Sequence, residues 1–219
     1  MLRSEWYRPF SAELVNDRES CQSALWKFNN NSNPAMGLSR TERLRIFRDI
    51  LRPPHARGNT AASDVPVDMG DGVCVDAPFG CEYGYNISIG HDVVIGSNCL
   101  IQDPCKVRIG DKCIIGPDVK LLGNSWSSNP AERSGSAGVA RGKPITIEEN
   151  VLIGAGVIIK EGVRIGRNCT IGPGKVVTQV SLVLFTLTSF MMGLRGTVTN
   201  YLLHRILAKA PHSTRQHLV

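Results

Sequence analysis

The stretch ITIEENVLIGAGVIIKEGVRIGRNCTIGPGKVV, residues 145–177, decides the fold. An aliphatic residue returns every six positions, at Ile147, Ile153, Ile159, Ile165, Ile171 and Val177. Toward the N-terminus the same spacing recurs at Ile109, Ile115 and Leu121, and before that at Ile89, Ile95 and Ile101. Gly follows the lead residue at Gly90, Gly96, Gly110, Gly116, Gly154, Gly166 and Gly172. The fifth place holds Val93, Cys99, Cys113, Val119, Val151, Val157, Val163 and Cys169. A short fixed period marks a solenoid. Because strand side chains alternate with period two, one unit supplies a short strand and a corner. The lead residue points inward, and the fifth fills a corner where only a small side chain fits. The Gly beside the lead is expected to take a positive φ. Three units close a triangular coil, so the chain is mainly β and forms a parallel β-helix whose coils cover only their neighbours. A helical reading fails, since each Gly would cost about 1 kcal/mol in a helix.

The repeat is broken in two places. Between Ile101 and Ile109 the register slips by two residues, and residues 122–146 leave it as LGNSWSSNPAERSGSAGVARGKPIT. A polar loop of this length within a compact domain is usually functional or disordered. Anchored between regular coils, it should project from a corner as the wall of a site. A purely structural solenoid would keep its coils regular.

Composition excludes several function classes. The seven Cys show no paired short spacing, and three occupy inward corners. Neither a metal site nor a disulfide framework is expected, and a reducing cytoplasm fits. Of the net charge of +6, Arg195, Arg205, Lys209 and Arg215 of the acid-free segment 180–219 supply +4, leaving +2 for residues 1–179. No nucleic-acid footprint remains. The opening MLRSEWYRPF lacks the apolar run of a secretory signal.

Residues 1–56 have another character. Leu14, Arg18, Cys21, Leu25 and Phe28 recur at helical spacing until Asn29, Asn30, Asn31 and Pro34 break it. A second helix starts at Ser39, with Glu42 completing a capping box, and carries Leu44, Ile46, Phe47, Ile50 and Leu51 on one face. Pro53 and Pro54 end it. Two short helices cannot bury these faces alone and should pack on the solenoid. Residues 57–86 lead into the coils, and 87–179 form them.

These features resemble the maltose and galactoside O-acetyltransferases and the nodulation acetyltransferases, over about residues 5–179. Tyr7, Leu14, Arg18 and Phe28-Asn29 are similar to that family's small helical domain. APFGCEYGYNISIG, residues 77–90, resembles its route into the β-helix; Pro130, Arg133 and GKPITI, residues 142–147, match the end of its projecting loop. The resemblance implies a left-handed β-helix and a homotrimer. It implies acetyl-CoA as co-substrate, lying in a groove between adjacent subunits, and direct acetyl transfer to a hydroxyl of a sugar or secondary metabolite. It places Tyr85, Asn86, Trp126 and Arg133 at the acceptor, and Gly154, Ala155, Pro173 and Thr178 along the coenzyme.

The match fails where the chemistry is most demanding. The family uses a loop histidine as general base and a loop carboxylate to orient it. Those positions hold Trp126 and Ala140 here, and an expected acceptor-site acid reads Asn98. No histidine occurs between His91 and His204. His91, just after Gly90, reads as a solvent-facing corner residue. No catalytic residue is therefore assigned. Lys175 stands where a small inward residue belongs, and after Gln179 the chain turns to VSLVLFTLTSFMMGL. Val180-Ser181 can be encoded by an intron start and His204-Arg205 can contain an intron end, so residues 180–219 read as retained intron and frame-shifted exon. The alternative is a hydrophobic membrane anchor.

Overall fold

The computed structural model describes residues 6–31, 38–58 and 66–178, and the backbone of 186–187. Beyond that pair, the tail assigned to intron or anchor lies outside the described residues. After β1 (Trp6–Tyr7) come α1 (Ala12–Asn31) and α2 (Arg40–Ile50). The first coil comprises β2 (Cys74–Val75), β3 (Phe79–Cys81) and β4 (Ile87–Ile89); the second, β5 (Val94–Ile95), β6 (Cys99–Gln102) and β7 (Val107–Ile109). In the third, β8 (Ile114–Ile115) and β9 (Lys120–Leu122) precede a hairpin, β10 (Asn124–Trp126) and β11 (Ala140–Gly142), and β12 (Ile145–Ile147) closes the coil. The fourth is β13 (Leu152–Ile153), β14 (Ile158–Ile159) and β15 (Arg164–Ile165); β16 (Thr170–Ile171) and β17 (Val176–Val177) continue it. Finally β18 (Thr186–Leu187) pairs in parallel with β16, so the ladder extends beyond the expected end at 179.

Strands of successive coils stack in parallel on three faces. The first face runs β2-β5-β8-β13-β16-β18, the second β3-β6-β9-β14-β17, and the third β4-β7-β12-β15. The fold is thus a parallel β-helix. The lead and fifth-place residues form one continuous buried cluster, apart from Lys175, which is exposed. Burying each Ile contributes about 1.5–3 kcal/mol.

The glycines do a different job from the one expected. Positive φ falls three residues after the lead, at Asp92, Asn98, Lys112, Asp118, Asn150 and Asn168 and at Gly156, Gly162 and Gly174. The Gly beside the lead is required instead by the closeness of the next coil. A Cβ on Gly110 would stand 2.7 Å from the carbonyl carbon of Glu148, and one on Gly154 would stand 2.6 Å from Pro173 N.

The helices pack on the first coil through Phe28, Phe47 and Phe79, whose rings meet edge-on at 5.3 Å. Contrary to expectation, α1 continues through the asparagines. Asn30 and Asn31 cap carbonyls within the helix, and Asn29 pairs reciprocally with the backbone of Phe79, donating to its O and accepting from its N, both at 2.9 Å. Ser39 Oγ accepts from Glu42 N at 3.1 Å, but the Glu42 carboxylate turns to Arg45, so only half of the capping box forms. The Cys21 and Cys81 thiols touch at 3.5 Å across this junction.

Candidate functional site

The two-residue register slip lands at the corner between the second and third faces. It inserts Asp103 and Pro104 after β6, and Asp103 is fully buried. Its Oδ1 accepts from Glu82 N at 3.1 Å and Tyr83 N at 2.9 Å, and its Oδ2 from Gly84 N at 2.8 Å. Burial pushes the carboxyl up to about 7, while the Tyr83 and Gly84 N–H groups pull the other way. Sequence reasoning passed over Asp103; the register slip was its signal.

Asp103 shapes the turn that carries Tyr85 and Asn86. Asn86 is buried, and its Nδ2 donates to Asp103 O at 2.7 Å. That amide therefore serves the coil, the plainer of the roles open to a corner asparagine. The Tyr85 hydroxyl donates to Asp17 Oδ2 at 2.7 Å, and Arg18 donates to the Tyr83 hydroxyl at 2.8 Å. Consecutive residues of α1 thus hold both tyrosines, and burial raises both phenols above their ordinary range. Arg57 locks the same turn by donating to the Tyr83 and Ile50 carbonyls.

The hairpin rises from this corner. Strands β1, β11 and β10 make a small antiparallel sheet in which Tyr7, Ala140 and Trp126 stand in one row. Ala140 is fully buried, whereas Trp126 is 45% exposed and stacks on Phe10 with centroids 6.5 Å apart. The Arg18 guanidinium lies 5.5 Å from the Phe10 centroid. Glu132 is the one acid of segment 122–146. It is consumed at the loop tip by Ser127 Oγ at 2.6 Å and Asn129 Nδ2 at 3.1 Å, bonds that hold it below the ordinary carboxylate range. Arg133 is exposed beside that tip. The hairpin thus carries no imidazole, and its one carboxylate is tied up at the tip.

Gly154, Ala155 and Pro173 meet on another corner, between the first and second faces. Gly174 N donates to Ala155 O at 2.8 Å, which sets Ala155 over Pro173 and Gly174. Thr178 follows at the end of β17, and Ala155, Pro173 and Thr178 are all exposed. The side chains at Gly154, Ala155 and Pro173 are small, and exposed Lys175 follows two residues after Pro173. Asn98 is a left-handed corner residue whose Nδ2 donates to Asp118 Oδ1 at 2.5 Å. His91 is exposed, and its Nδ1 accepts from Asp71 N at 3.1 Å. Among the described residues, no three His, Cys, Asp or Glu gather as a metal site. No helix there is long and apolar enough to cross a membrane.

Residues 1–54 match the maltose acetyltransferase hexapeptide capping motif, 86–117 the hexapeptide repeat of succinyl-transferase, and 144–179 the bacterial transferase hexapeptide. A hexapeptide-repeat acetyltransferase of Vibrio cholerae, solved with acetyl coenzyme A, is 30% identical with a TM-score of 0.67, over 82% of this chain and 85% of that one. A galactoside acetyltransferase solved with coenzyme A is 28% identical with a TM-score of 0.67, over 81% and 78% of the two chains. The galactoside O-acetyltransferase of Escherichia coli K12 is 38% identical over 112 residues, which are 51% of this chain and 54% of that protein. Stacked coils, helical cap and projecting hairpin agree with these matches: the chain belongs to the hexapeptide-repeat acetyltransferase family, in the branch that carries the maltose acetyltransferase capping motif.

Proposed function

We propose that this chain binds acetyl-CoA and a hydroxyl acceptor, a sugar or secondary metabolite, as an O-acetyltransferase whose proton-removing pair has been replaced. What carries the reading is the hairpin. It pairs Trp126 with Ala140, and the family resemblance puts the general base and its orienting carboxylate at those two positions. A hydroxyl is a weak nucleophile at neutral pH, and a positioned base contributes about 10²–10⁴-fold to such a transfer. The chain as it stands would transfer acetyl slower by about that factor. The non-catalytic reading, a ligand-binding or partner subunit, is favoured by one observation: Trp126, at the position the resemblance gives the base, stacks on Phe10.

In this reading the pantetheine arm lies along Gly154, Ala155 and Pro173, where small residues let it approach the backbone, and reaches Thr178. Tyr85, Trp126 and Arg133 face the acceptor, and Asn86, which the resemblance also places there, braces the turn beneath them. Two or more subunits are needed to close such a groove, and the homotrimer would seat its partners on the first face. There Val94, Ile114 and Leu152 stand in register as an aliphatic ladder, 40%, 50% and 43% exposed. A cytoplasmic setting suits the corner thiols.

Calorimetry with coenzyme A tests the binding half. Saturable binding is expected, weakened about tenfold or more by Ala155→Trp, which blocks the corner. A full chain that binds no coenzyme A would overturn the acyltransferase reading.

A further inference from the structure

The third face differs from the other two. Its outward side chains stand in register as Ser88, Arg108, Thr146 and Arg164. A groove of about 740 Å³ runs over this face, and none of the acceptor or coenzyme residues lines it. One wall is the segment before β2. Gly70 N donates to Ile89 O and Ile89 N to Asp68 O, both at 2.9 Å, so this segment lies along β4. Under that wall Ser88 is only 8% exposed, and its hydroxyl bonds to no described residue.

All but one of the charged side chains named here have an ion-pair or hydrogen-bond partner. Asp68 faces Lys106 at 3.5 Å and Asp71 faces Arg48 at 3.7 Å. Asp111 accepts from His91 N at 2.8 Å. Glu148 holds Arg164 at 2.5 Å, and Glu149 meets Arg167 at 3.6 Å. Among the described residues Arg108 has no carboxylate and no hydrogen-bond acceptor.

We propose that this groove binds an oxyanion, a carboxylate or phosphate monoester, at Arg108, with the hydroxyls of Ser88 and Thr146 as flanking donors. Neighbouring strands lie about 4.8 Å apart, so one hydroxyl-bearing residue flanks Arg108 on each side. Its planar fork suits paired oxygens. Lys106 can join, because an exposed pair like that with Asp68 contributes only about 0–1 kcal/mol. Asp111 and Glu149 at the far corner disfavour a second anionic group, so the rest of the ligand carries hydroxyls or an amine. The site would be separate from the coenzyme corner and independent of acetyl transfer.

The test is calorimetric titration of the full chain with inorganic phosphate and, separately, with acetate, each repeated in excess coenzyme A. One anion should bind saturably and keep its affinity when coenzyme A is present. Arg108→Met should weaken it about tenfold or more, and Ser88→Ala several-fold, with melting temperatures unchanged. No saturable binding, binding that Arg108→Met leaves intact (an adventitious ion only), or displacement by coenzyme A would overturn the site. A chain that binds the anion through Arg108 but no coenzyme A would sink the acyltransferase reading and leave this one standing.

Discussion

Trp126 and Ala140 face each other as direct cross-strand partners in the hairpin that rises from the β-helix. Cβ atoms of such partners lie about 4.5–5.5 Å apart, close enough for a carboxylate to orient a histidine. In the proposed reading, the two departures from the family pattern, fourteen residues apart in sequence, are one structural event: a large aromatic and a small apolar residue stand where the resemblance puts two polar groups that need each other.

The division of labour among the glycines predicts opposite outcomes for two substitutions. Gly110→Ala puts a Cβ 2.7 Å from Glu148 backbone and should lower stability by about 1–3 kcal/mol, because the coils cannot separate locally. Gly156→Asn should be nearly neutral. Position 156 has φ +68°, open space around it, and Asp118 and Asn98 in the equivalent places of the two preceding coils. Urea unfolding of both variants checks the ordering.

Asn29→Ala should cost about 1–3 kcal/mol, since it strips the backbone N–H and C=O of Phe79 of their partners at a buried junction. Neighbouring Asn30→Ala, at an exposed site, should change little. Chemical denaturation of the pair distinguishes a junction bond from helix propensity alone.

Asp103 gives the stability a pH dependence. Its folded value is about 7 against an ordinary 3.8. Between these values the folded chain holds a proton that the unfolded chain has released. Stability from this group is therefore present below the unfolded value and is lost as pH rises through the folded one. Unfolding free energy should fall by a few kcal/mol from pH of about 4 to about 7, against any opposite trend from other carboxylates. Asp103→Asn, less stable because an amide cannot accept at both ends, should lack this slope.

Much of the fold was legible in the sequence because period six leaves a trace at each coil. Lead residues from Ile89 to Val177 all face the core, and the slip at 101–109 marks a real insertion. What the pattern hid was three-dimensional. The clash at Gly110 comes from a coil nearly forty residues later, and helix α1 outruns its asparagines because Asn29 finds Phe79. At the candidate site, Trp126 and Ala140 could be named from the loop, but not their pairing. From sequence Asn86 reads first as a ligand group and second as a corner brace, and only the bond to Asp103 O shows the brace. The groove around Arg108 left no motif, since its residues come from separate coils.

In the proposed function Trp126 and Ala140 stand where the proton-removing pair belongs. Acetyl transfer from labelled acetyl-CoA to a panel of sugars and hydroxylated metabolites tests it most directly, with wild type run beside Trp126→His, Ala140→Glu and the double variant. The double variant should exceed wild type by about 10²–10⁴-fold and exceed either single change. Wild type turning over as fast as the double variant would contradict the claim.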